Sequence, residues 1–219
     1  MPKIFISCIF LIPFCITYMG CRLNKESQKI EANKPSIVTF LDSVNASKTI
    51  ISDDVDGFYD QISKLEMEIQ MKSITPFKDR NDAKKAYHKF IVSEVSSWKD
   101  AEMETLINIF SQVKKMCDTL SPRIFPDGIK LIKVKTNHYG NHVYYTRGRN
   151  ILIPENIFPL DDASSQLPVM IHEVFHILSR NNPDIRHDLY RLIGFEKSQK
   201  PIKLNQELAT KLLTIRIGE

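Results

Sequence analysis

Two rhythms of hydrophobic and polar residues run along this chain, and the change between them falls near Gly128. Before that point apolar positions recur every three or four residues, the period of a helix with one buried face. In "DDVDGFYDQISKLEMEIQ" (53–70), Phe58, Ile62, Leu65 and Ile69 share a face; acidic residues lead in and Pro76 closes the region. In "NDAKKAYHKFIVSEV", Ala83, Tyr87 and Ile91 do the same behind a cap at Asn81 or Asp82. "SSWKDAEMETLINIFSQVKKMCDTLSP" carries a stripe of Leu106, Ile109, Phe110, Val113 and Met116 or Cys117, and stops at Pro122. Such stripes are core, so neither Trp98 nor Met116 is assigned a function.

After Gly128 the texture turns to Ile, Val, Tyr and Thr, broken by the turn clusters "NHYGN" and "GRN". This predicts a hairpin or meander of strands near 130–135, 143–146 and 151–153, ended by Pro154 and Pro159. The helical period then returns. "DDASSQLPVMIHEVFHILSRNN" has Ser164 or Ser165 as a cap and Pro168 in the first turn. Glu173 is its only charged residue between Leu167 and Ser179, so most of this helix is expected to be buried. "NPDIRHDLYRLIGF" predicts a short helix with Pro183 near its start and Gly194 as a left-handed stop. "KLNQELATKLLTIRI" predicts a last amphipathic helix through Leu204, Leu208 and Leu212. The expected fold class is α+β. One domain spans 37–219, helical over 37–122, with a small twisted, mainly antiparallel sheet packed on the helix around His172 over 128–219.

Composition narrows the function. A chain of 219 residues, 42% hydrophobic and 26% charged, suits one domain with a sizeable core. A net charge of +4, with no basic run and no aromatics interleaved with Lys and Arg, argues against nucleic acid as a partner. Residues 1–20 read as a secretory signal: Lys3, an apolar run from Ile4 to about Tyr18 interrupted by Pro13, then Gly20 before Cys21. Residues 21–36 are polar and aperiodic and read as a flexible tether. Gly20-Cys21 resembles the lipobox of bacterial lipoproteins, which implies lipid attachment at Cys21 and anchoring to a cell-envelope membrane, on the periplasmic or surface side. Beyond the signal and Cys21 only Cys117 remains, so any metal must be held by His and carboxylates.

The chemistry concentrates in "MIHEVFHIL" (170–178). His172 and His176 are four residues apart, one helical turn, so both imidazoles can converge on a single ion. Glu173 is rotated by about 100° from His172 and stands beside that ion rather than on it. From there it can take a proton from the activated water and pass it to a leaving nitrogen. Three ionisable groups on so apolar a helix need a partner, and for two imidazoles that partner is a divalent cation such as Zn2+.

From Tyr144 to Phe195, "YYTRGRNILIP", "HEVFHILSR" and "NPDIRHDLYRLIGF" together resemble a bacterial family of zincin-like metallopeptidases. The resemblance implies a twisted sheet over the active-site helix with an edge strand along the cleft. It also implies His172 and His176 as zinc ligands and Glu173 as general base. Metzincins would need glycine and histidine where Ser179 and Asn182 stand, which excludes that branch. Thermolysin-like zincins take a glutamate from a second helix, and Glu196 falls at that spacing, with His187, Asp188 and Glu207 as rivals. Oxyanion help could come from Tyr190, His187, Tyr145 or Arg147, with Tyr190 preferred. Asp184 or Asp188 could orient a ligand imidazole. The expected activity is a zinc-dependent peptidase acting on a peptide or protein substrate. The alternative is a non-catalytic zincin-fold lipoprotein that binds a peptide or protein partner.

Overall fold

Two strands buried on both faces set the architecture. The computed structural model describes residues 37–54, 57–160, 162–196 and 205. The signal segment, Cys21, the tether, Glu207 and the expected last helix lie outside the described residues. Strands β3 (Lys130–Val134) and β5 (Asn150–Pro154) pair in parallel, Lys130 opposite Asn150 through Val134 opposite Pro154. Leu131, Ile151 and Ile153 face one side of the sheet, and Ile132, Val134 and Leu152 face the other. A parallel pair is stable when both faces are covered, and here both are.

The shorter strands complete a five-stranded sheet. β1 (Thr39–Phe40) runs parallel to the start of β3, and β2 (Val95–Ser96) runs antiparallel to its end. β4 (Tyr145–Arg147) is antiparallel to β5 and forms one edge. The sheet is therefore mixed, a correction to the mainly antiparallel expectation, although the class is α+β as the sequence predicts. "NHYGN" is not a hairpin turn: the chain after β3 crosses to the far side of β5 before forming β4. Among the described residues only β4 and β5 make a hairpin, through Gly148 and Arg149, with Gly148 at φ +56° as a tight two-residue turn requires.

On one face lie α1 (Ser43–Ile50), α2 (Phe58–Gln61), α3 (Lys64–Gln70) and α4 (Arg80–Ser93); they bury Ala46, Tyr59, Met67, Tyr87 and Ile91 against Ile132 and Leu152. On the other lie α5 (Asp100–Leu120) and α6 (Leu167–Asn181), with Leu106, Ile109, Phe110, Val113, Met170, Val174 and Ile177 packed on Leu131, Ile151 and Ile153. α7 (Pro183–Leu192) follows, and Gly194 at φ +89° ends it as expected.

Three local expectations are corrected. Region 53–70 is two helices, because the Ser63 hydroxyl accepts from the Glu66 amide at 3.0 Å and starts α3 afresh. The new phase buries Met67 and leaves Leu65 and Ile69 exposed. The cap of α4 is Asp79, which accepts from the Asp82 amide, and a one-turn helix at Ala163–Gln166, capped by Asp162, leads into α6. Both are side-chain oxygens one or more residues ahead of the apolar period, where a cap belongs. No helix among the described residues is long and apolar enough to cross a membrane.

Candidate metal centre

α6 presents three different faces. Met170, Val174 and Ile177 point into the core, while His172 is exposed and His176 half-buried. Glu173, rotated by about 100° from His172, lies on the flank shared with Arg180. Arg180 donates to the Gly148 carbonyl at 3.2 Å and to Thr146 Oγ1 at 3.1 Å, which ties this flank to the edge strand β4.

The two imidazoles converge. His172 Nε2 and His176 Nε2 are 2.9 Å apart, and the rings stand nearly perpendicular at 88°. Burial draws the His176 pKa down to about 4, with the neighbouring His172 and Arg180 adding to the effect, so its imidazole is neutral at physiological pH. Its Nδ1 is buried without a hydrogen-bond partner. On a tetrahedral ion with bonds of about 2.0–2.1 Å, two nitrogens sit about 3.3 Å apart, so this pair need open by only a few tenths of an ångström. The donors present fit a divalent cation gripped by two imidazole nitrogens.

Glu173 is 4% exposed, and its Oε2 has no hydrogen-bond partner. Burial raises its pKa to about 7, with the Arg180 charge pulling the other way. A buried carboxyl poised at neutral pH, next to His172 along α6, suits proton transfer.

Sequence reasoning passes over Tyr144. Its hydroxyl donates to Gln166 Oε1 at 2.5 Å, and burial, reinforced by the Glu173 charge, raises its pKa and keeps the phenol protonated. Tyr145 and Arg147, the candidates on that strand, belong to the opposite face. Tyr145 hydrogen-bonds His138 Nε2 at 2.9 Å. The Arg147 guanidinium lies over the Phe58 and Tyr59 rings and donates to the Ile50 and Ser52 carbonyls. Alternation along β4 sends neighbouring side chains to opposite faces, so only one of two adjacent tyrosines can reach α6.

The remaining candidates are dispersed. Tyr190 packs on Phe175 with ring centroids 5.5 Å apart, and its hydroxyl is buried without a partner. Phe175 projects from the side of α6 away from Glu173, so Tyr190 belongs to the opposite wall. His187 and Asp188 are exposed and face each other at 3.7 Å, and Asp188 also pairs with Arg191 at 3.2 Å. Asp184 and Glu196 are exposed, the latter just beyond Gly194. Among the described residues no group of three or more His, Cys, Asp or Glu side chains is gathered to hold a metal, so Glu196, His187 and Asp188 are not brought to the histidine pair. In comparison with known proteins, the chain matches no family model, no curated protein and no solved structure.

Proposed function

We propose that this chain is a zinc-dependent hydrolase that cleaves peptide bonds, anchored at a bacterial envelope membrane through lipid on Cys21. The reading rests on one juxtaposition: two imidazole nitrogens 2.9 Å apart, next in sequence to a buried carboxyl oxygen without a partner. His172 and His176 would hold the zinc, which when bound would supply a Lewis acid and lower the pKa of a water to about 7. Glu173 accepts the proton of the attacking water and delivers it to the leaving nitrogen. The Tyr144 phenol, protonated and beside Glu173, turns its hydrogen bond from Gln166 to the developing oxyanion. β4 is an edge strand, and its unpaired side offers backbone groups to an extended peptide. The absence of a third ligand among the described residues favours one other reading, a lipoprotein that binds peptides on this scaffold without cleaving them.

Protein purified without chelators should carry about one zinc per chain, lost in His172→Ala and in His176→Ala, and should cleave members of a peptide library. Material that comes out metal-free and binds no added zinc overturns the hydrolase reading and leaves the peptide-binding one, as does zinc without cleavage. Glu196→Gln and Glu207→Gln, compared by zinc affinity, locate the third ligand. Tyr144→Phe should retain zinc and KM but lose about 100-fold in kcat. An unchanged kcat would remove the phenol from the reaction.

A further inference from the structure

At the carboxyl ends of the parallel strands β3 and β5, a cavity of about 760 Å³ opens between the sheet and the first turns of α5. The crevice outside such strand ends is a recurrent place for ligands, and this volume has room for more than one amino acid. Four charged side chains line it: Lys133 of β3, Glu155 directly after β5, and Lys99 and Glu102 at the start of α5.

Two of the four cancel. Lys133 and Glu102 are buried; the ammonium meets both carboxylate oxygens at 2.8 Å and the Ser97 carbonyl at 3.2 Å, which occupies all three of its donors. Taking such a pair out of water is costly, and two apolar side chains would fill the same place at less cost. What the pair supplies is a fixed wall. Glu102 also accepts from the Lys99 amide at 2.9 Å, which sets the start of α5 and with it the place of Lys99. The other two charges are open. Glu155 is half-buried; its Oε2 accepts from the Ser96 hydroxyl at 2.6 Å, and its Oε1 has no partner among the described residues. Lys99 is exposed at the rim and pairs with no carboxylate among them.

We infer that this cavity binds a short peptide with both termini free, its ammonium on Glu155 and its carboxylate toward Lys99. A half-buried carboxylate with one open oxygen calls for a charged donor, and the peptide's amino terminus is one. A purely anionic ligand would be repelled by Glu155 and a purely cationic one by Lys99, so the walls select a molecule carrying both signs. Asn156 holds the His142 amide on its Oδ1 at 3.2 Å and keeps its Nδ2 for a peptide carbonyl. Phe158, Pro159 and Leu160 give small side chains an apolar surface to lie on. None of these residues belongs to the histidine pair or to Glu173, and the inference does not depend on the hydrolase reading.

Isothermal titration calorimetry of the full chain tests it, in chelator so that no metal sits at the histidine pair. Trialanine should bind saturably, one per chain. Its N-acetyl form should bind about 10-fold more weakly, and its C-terminal amide about 3-fold more weakly because Lys99 is exposed. Glu155→Gln keeps the size of the side chain and should show the same 10-fold loss for trialanine, with no further loss on acetylation; that coupling pairs this carboxylate with the ammonium. No saturable binding of trialanine overturns the inference. So does equal binding of the free peptide and a peptide capped at either end, which needs no variant to read. Alanine binding as tightly as trialanine overturns the choice of a peptide and assigns the cavity to single amino acids.

Discussion

Glu173→Gln should abolish peptide hydrolysis, by about 10³-fold in kcat, while zinc content stays unchanged. The amide keeps the size of the carboxyl but cannot accept the water's proton, so the loss falls on the proton-transfer step rather than on binding. The same substitution has a second readout, in chelated protein, that activity does not share. The folded-state pKa of Glu173 is raised from 4.5 to about 7, so the buried site disfavours the carboxylate. Between these values the unfolded chain has released a proton that the folded chain still holds, and stability falls as pH rises. The variant has no such group. Its stability relative to wild type should therefore grow between pH 4.5 and 7, by up to about 3 kcal/mol, and level off above. Urea titrations at several pH values in chelator measure this. A relative stability that is flat across that window would mean Glu173 is not held in a carboxylate-averse site, and the general-base assignment would lose its physical support.

Legible in the sequence is whatever depends on neighbours along the chain. The α5 stripe, the apolar character of α6, the one-turn spacing of His172 and His176 and the stop at Gly194 are local, and each is where the period puts it. Pairing between strands is not local. "NHYGN" has the composition of a hairpin turn, but β3 is buried on both faces and belongs at the centre of the sheet, beside β5 rather than β4. A strand's period of two also fixes alternation without fixing phase. For that reason the sequence points to Tyr145 and Arg147 and passes over Tyr144. Alternation says that one of the adjacent tyrosines faces α6, and only the contact of Thr146 of β4 with Arg180 of α6 says which. The break at Ser63 is hidden differently. Two short helices with an apolar residue at each matching interval imitate one long one, and the hydroxyl cap that separates them looks like any surface serine.

The heaviest loss of stability from a single polar substitution is expected at Glu94, which lies far from the histidine pair in sequence and at the end of α4. Its side chain is 2% exposed, and its two oxygens accept three hydrogen bonds from the chain after β3: from the Asn137 amide and Asn137 Nδ2, each at 2.9 Å, and from His138 Nδ1 at 3.1 Å. Burial lowers the His138 pKa, so the ring is neutral at physiological pH. With its proton on Nδ1 facing Glu94, Nε2 is free to accept from the Tyr145 hydroxyl. Glu94 thus fixes the crossing loop, its histidine tautomer and the inward side of β4 together. Glu94→Ala leaves those donors facing a void, at about 1–3 kcal/mol for each that stays buried, so a total near 4 kcal/mol and a fall in Tm of about 10 °C are expected. Glu94→Gln retains one acceptor oxygen and should lose about half as much. Because Tyr144 and Tyr145 leave this loop as neighbours on opposite faces, slack at Glu94 also frees the phenol beside Glu173. Glu94→Ala should then lower kcat at temperatures where the variant remains folded, with zinc content unaffected. Urea denaturation and turnover on one preparation separate the two effects. A stability loss under about 1 kcal/mol would show that the loop holds without its carboxylate, and the link from α4 to the edge strand would fall with it.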